Sequence, residues 1–168
     1  MNNTKIQHAL SCVPVLGACL TIIFLLSVMT TNVIISLVVI FLVVLSPYLL
    51  YLFQKSYRDD VLGGAISYSH ALSYGVYLCI GASAILGIVE FIYYQYINTE
   101  FLADTYPLMI EQMQLWKFPA EMIEQAKVKG PPSAVAMSFQ YAVLIAFIGF
   151  LVSLVTSGIV KKSTSTNE

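Results

Sequence analysis

The sequence predicts an all-α membrane protein: four transmembrane helices in a bundle, with an amphipathic helical insert between the third and fourth. Three observations carry this. Of the 168 residues 58% are apolar and only 10% are charged, against about 25% charged in an ordinary soluble domain. Eight Lys and Arg oppose nine Asp and Glu, for a formal net charge of −1. From Ile6 to Gln54 there is no Asp, Glu, Lys or Arg at all, a run that a soluble fold could not keep off its surface. Composition therefore excludes a soluble enzyme, a nucleic-acid binder and a disordered chain. It leaves the lipid bilayer as the first partner.

A spanning helix needs about 20 apolar residues, so the uncharged run holds two spans and a tight turn. Span 1 is expected over about 9–29 and span 2 over about 33–53, joined at Thr30-Thr31-Asn32. Three polar, helix-poor residues suffice to connect antiparallel neighbours. Pro14 is expected in the first turns of span 1, where a missing N–H costs little, and Pro47 inside span 2, where it bends the helix. Lys5 before an apolar stretch, and Leu16-Gly17-Ala18-Cys19, resemble a signal peptide and a lipoprotein processing box. The apolar run nevertheless continues through Leu20, Ile22 and Leu26, so an uncleaved first helix is expected. Cys12, Cys19 and Cys79 all fall in apolar stretches. They read as soft packing residues and not as a disulfide framework.

Lys55, Arg58, Asp59 and Asp60 mark the second aqueous loop, and Gly63-Gly64 ends it. Span 3 is expected over about 65–97, roughly 50 Å at 1.5 Å per residue. That exceeds a hydrocarbon core of about 30 Å, so its first two turns should project into the headgroups or the cytoplasm. A polar insert fills 99–130. Pro131 and Pro132 suit a helix start, span 4 covers about 133–160, and Lys161-Lys162 closes it. These elements make one membrane domain over 1–162, with a disordered tail at 163–168. Lys5, Lys55, Arg58, Lys161 and Lys162 fall on one side, and Lys117, Lys127 and Lys129 on the other. The excess orients both termini to the cytoplasm of a bacterial inner membrane.

The strongest pattern is a row of small residues in span 3: Ser67, Ala71, Gly75, Cys79, Ser83 and Gly87, every fourth position. Helices in lipid associate through close packing, and small residues let backbones approach. An i±4 row favours right-handed crossings. Span 4 offers partners in Ala134, Ser138, Ala142, Ala146, Gly149, Ser153 and Ser157. The row reads as packing of spans 3 and 4 or of two protomers, with a pore or hinge as the functional alternative.

Glu90 is the sole acid inside a predicted span. Such groups are costly and often functional. Counted from Ala82 as mid-span it lies about 12 Å along the axis, beside the aromatic set Phe91, Tyr93, Tyr94 and Tyr96, which resembles an interface belt. It is either an interfacial carboxylate bonded to a neighbour or water, or a proton- or cation-binding site. His8 and His70 read as single histidines at opposite ends of the cytoplasmic edge, neither with metal-ligand spacing. No phosphate loop and no nucleophile–base pair appears.

In the insert, Leu102, Tyr106, Met109, Met113 and Trp116 recur at helical spacing, with Glu100, Asp104, Pro107, Glu111 and Gln114 opposite. Phe118-Pro119 breaks the pattern and Ala120–Val128 restarts it, so two short helices are expected. The acidic wet face argues against attraction to anionic lipid. A cap over the bundle, a membrane-surface helix and a partner-binding lid all remain open for this face.

Four segments resemble the bacterial "domain of unknown function 4199" family of small integral membrane proteins. They are Gly63-Gly64-Ala65-Ile66-Ser67-Tyr68, Tyr93-Tyr94-Gln95-Tyr96-Ile97, Met109-Ile110-Glu111-Gln112-Met113 and the restart Pro119…Glu121…Ile123-Glu124. The resemblance covers most of the chain and implies a membrane fold. That family has no assigned reaction, so it implies no catalytic residues, cofactor or metal. The expected role is a structural or accessory helix-packing module, not an enzyme: a homo-oligomer or a subunit beside a membrane-protein partner. The alternative is a small proton- or cation-coupled transporter or channel using Glu90.

Overall fold

The computed structural model describes residues 2–29 and 32–162. They form α1 (Asn2–Met29), α2 (Val33–Ser56), α3 (Tyr68–Ile92), α4 (Phe101–Leu115), α5 (Ala120–Lys129) and α6 (Ala134–Val160). α2 and α3 each run on into a π-helical turn, Tyr57–Val61 and Tyr93–Ile97. Four stretches are long and apolar enough to cross a membrane: Thr4–Val28, Val33–Val61, Tyr68–Ile97 and Ala134–Val160. This is an all-α membrane protein. The expected turn residues Thr30 and Thr31 and the expected tail 163–168 lie outside the described residues.

Local chemistry explains the helix ends. Asn32 caps α2, its Oδ1 accepting from the Ile34 N–H at 2.9 Å. Ser133 caps α6 in the same way through the Ala136 N–H at 3.3 Å. Gly130, at φ +74°, ends α5 where only a glycine is unstrained. Between α2 and α3 the chain turns through Gly63 and Gly64, both at positive φ. Ile66 and Lys162 then exchange two backbone hydrogen bonds as an isolated antiparallel bridge. Arg58 donates to the Val160 carbonyl at 2.9 Å, at the negative end of the α6 dipole, while Asp59 grips it from the other side.

Two expectations need correction. α1 begins at Asn2, not Ala9, because its polar first turns have partners: Lys5 donates to Ser73 Oγ at 2.6 Å, and His8 meets the Tyr74 hydroxyl at 2.6 Å. Pro14 is therefore deep inside α1 and not in its first turns. α3 begins at Tyr68, not Ala65, since the bridge at Ile66 holds the backbone extended. α6 and the two short insert helices fall within a residue or so of expectation.

The chain divides into two compact units, 1–87 with 141–168, and 88–140. In the first, α3 packs against each of α1, α2 and α6. Ala71, Tyr74, Leu78 and Ala82 are wholly buried. Where helices meet, side-chain bulk is missing on one partner. Gly81 receives Val13 of α1, Gly17 of α1 receives Ile85, and Gly149 of α6 receives Cys79. At Gly75 an added Cβ would lie 2.8 Å from Ser153 Oγ and closer still to the Gln54 amide. By contrast α2 carries exposed Val33, Ile34, Leu37, Phe41 and Val44, a surface suited to lipid. In the second unit, α4 and α5 join through the Tyr106 hydroxyl, which donates to the Ala126 carbonyl, and Ile123 is buried.

Gly75→Leu should lower stability by about 1–3 kcal/mol or more, the cost of overpacking. Gly158→Ala, where a Cβ meets nothing within 4 Å, should leave it nearly unchanged. Thermal unfolding in mild detergent checks both, and a Gly75→Leu protein as stable as wild type would contradict the close approach.

Candidate functional site

In the first unit, the buried polar groups gather at one end of α3. Gln54, wholly buried near the end of α2, donates from Nε2 to the Ala71 carbonyl at 3.2 Å and to Ser157 Oγ at 3.1 Å. A carbonyl only accepts, so the amide orientation is determined. Its Oε1 has no hydrogen-bond partner among the described residues. Ser153, also wholly buried, lies 3.8 Å from the Cys79 thiol.

Beside this lies an aromatic cluster. Tyr57, 1% exposed, stacks on Tyr74 with centroids 4.2 Å apart and planes 5° from parallel. The His8 ring lies 5.5 Å from Tyr57 and the His70 ring 5.7 Å, with Tyr57 Oη 3.2 Å from His70 Nε2. His8 and His70 are thus not isolated at opposite ends of an edge; both touch Tyr57. The π-helical turn that begins at Tyr57 and the extension of α1 to Asn2 bring them there. The hydrogen bonds run on from the cluster to the surface. Ser56 donates to Asp60 Oδ2 at 2.6 Å, so its oxygen accepts from His8 Nε2 at 3.4 Å. Nδ1 lies 2.6 Å from the Tyr74 hydroxyl, with the Cys12 thiol 3.8 Å away. Asp60, Ser56, His8 and Tyr74 form one polarised chain from an exposed carboxylate to a buried phenol. Among the described residues no three His, Cys, Asp or Glu side chains converge as metal ligands.

Of the small-residue row, Ala71, Gly75, Cys79 and Ser83 are buried, Gly87 is half-buried and Ser67 is exposed. Glu90, in the second unit, is 0% exposed, and neither carboxyl oxygen has a hydrogen-bond partner among the described residues. The aromatic set after it divides: Tyr93 and Tyr94 are buried and pack on Phe101 at 5.8 and 5.6 Å, while Tyr96 is exposed. In the insert Leu102, Tyr106 and Met113 are half-buried, whereas Met109 and Trp116 of the same face are exposed, Trp116 at 73%. Glu100, Asp104, Pro107, Glu111 and Gln114 are exposed.

A partly open cavity of about 330 Å³ also lies in the first unit. α1 lines it from Leu16 to Ile23, α2 from Val43 to Leu50, α3 through Cys79 and α6 from Tyr141 to Val152. All four stretches lie well inside their spans. Pro47 lacks the N–H that would bond the Val43 carbonyl, and Ser46 Oγ donates to that carbonyl at 3.0 Å instead.

A family model described as a protein of unknown function (DUF4199) matches residues 11–162. The chain belongs to the DUF4199 family. No curated protein and no solved structure matches it. In this DUF4199 chain the match takes in Gln54, Tyr57, Asp60, His70, Tyr74, Glu90 and the whole insert. It begins after Lys5 and His8.

Sequence reasoning missed the His8–Tyr57–Tyr74–His70 cluster. A faint signal was present: Lys5, His8 and Cys12 share one face of α1, and His70, Ser73 and Tyr74 one face of α3. Spacing shows that these faces are polar. It does not show that they meet.

Proposed function

We propose that this DUF4199 protein is a non-enzymatic membrane module that assembles with a second copy of itself through the insert. The observation that carries the reading is the exposed apolar set Leu108, Met109, Leu115, Trp116 and Met122. Isolated apolar side chains at a surface are ordinary, but here Leu108 and Leu115, and Met109 and Trp116, recur seven residues apart on α4, and an exposed Trp is typical of interfaces. Charge favours a like partner: the exposed wet side of α4 carries Glu100, Asp104 and Glu111, while Lys117 and Lys129 stand exposed at the ends of α4 and α5, Lys127 being paired with Glu124 at 3.0 Å. A two-fold pairing sets acids of one copy against lysines of the other. Purified in mild detergent, the wild type should show a native mass above that of one chain, and Trp116→Glu with Leu115→Glu should return it to one. A wild type that is monomeric in detergent and in nanodiscs would overturn this reading.

The module sits in a bacterial inner membrane with both termini in the cytoplasm and the insert outside. The support is the five Lys and Arg on the terminal side against three in the insert. Reporters fused after Glu168 and within 117–130 should read cytoplasmic and external respectively. The opposite pattern reverses the orientation.

A second reading, a proton- or cation-coupled transporter, rests on Glu90 alone. An acid wholly buried in a span, with no hydrogen-bond partner on either oxygen among the described residues, is the kind of group that takes a proton or a cation. In vesicles carrying the purified protein, an ion or pH gradient should collapse faster than in empty vesicles, and Glu90→Gln should remove the difference. Wild-type vesicles as tight as empty ones would eliminate the transporter and leave the module.

A further inference from the structure

The cavity among α1, α2, α3 and α6 has features that select its contents. Its volume of about 330 Å³ is at the lower end of small-molecule sites, roughly 300–1,000 Å³. Polar side chains contribute only Ser46, Cys79 and Tyr141 to the lining. The Ser46 hydroxyl is already donated to the Val43 carbonyl, and the Cys79 thiol faces Ser153. A water held inside a protein needs two to four polar partners, and these walls offer too few. The lining lies at mid-span on all four helices, the depth at which a bilayer is pure hydrocarbon. Pro47 of α2 and Gly149 of α6 both lie in the lining.

We propose that this cavity is a binding site for the end of a phospholipid acyl chain, which enters from the bilayer. The chain fills the space with CH₂ and CH₃ groups that need no hydrogen bonds, and the apolar walls supply dispersion contacts along it. Such a lipid is held by the protein and exchanges more slowly than the lipids that merely surround it.

The test uses the full chain in nanodiscs containing a phospholipid with a photoreactive diazirine near the end of one acyl chain. Irradiation should label the lining residues Leu50 and Ile145. Ser46→Phe and, from α6, Val152→Phe should each reduce the label on Leu50 and Ile145 several-fold, while label on the outward residues Phe41 and Val44 stays the same. Phosphorus analysis of wild type after extensive detergent washing should find one retained phospholipid per chain, and less in either variant. If one variant fails to fold, the other and the wild-type measurement still decide. Label indifferent to both substitutions, wild type that washes free of phosphorus, or a retained apolar molecule without phosphate would overturn the proposal.

Discussion

Helices immersed in hydrocarbon gain nothing by hiding apolar side chains from a solvent that is itself apolar, so their association depends on how closely backbones can approach. That constraint organises the first unit. α3 meets α2 and α6 at Gly75 and Gly149, and meets α1 at Gly17 and Gly81. At each point one partner has no Cβ and the other fills the gap. The residues this brings to the interior, Ala71, Tyr74, Leu78 and Ala82, are buried as a consequence of the approach. α2 needs such contact only near its end, around Leu50 and Gln54, and its outer half is free to face lipid.

The same solvent makes every polar group answer for itself, because lipid offers no hydrogen bonds. The structure meets this with local substitutions. Ser46 takes up the carbonyl that Pro47 releases, Gln54 bridges α3 and α6, and Arg58 caps α6 while Asp59 balances its charge. His8 is satisfied on both ring nitrogens, by Ser56 and Tyr74. Against this background the unmet groups stand out. Glu90 in one unit and the Gln54 carbonyl in the other are fully buried without hydrogen-bond partners among the described residues. Buried polar groups are ordinarily satisfied, so these two are exceptions to the pattern.

Membership of the DUF4199 family adds no chemistry to this picture, so the functional weight falls on features that geometry alone exposes: the apolar cavity at mid-span, the insert with its exposed Trp116, and lone Glu90. They make different demands. On the readings proposed above, the cavity takes hydrocarbon, the insert another chain, and Glu90 a small cation or a proton.

Much was legible from the residue order alone. The uncharged run from Ile6 to Gln54 sufficed for a pair of spans, since nothing but a membrane tolerates it. Asn32, Pro131 and Pro132 marked helix ends because their conformational preferences act locally. The face of α4 was legible too, because periodicity of 3.6 is a property of one helix. What the residue order could not contain was which polar faces meet. His8 and His70 looked solitary because their common partner, Tyr57, is distant in sequence from both and turns inward only through a π-helical turn. The cavity likewise belongs to no segment: it is the space left when four helices, three of them closely packed at glycines, cannot all touch at the same depth. Sequence determines what each helix can offer, through propensity and periodicity, while contacts between residues such as Gln54 and Ser157 depend on backbones brought together in space, which only the tertiary structure decides.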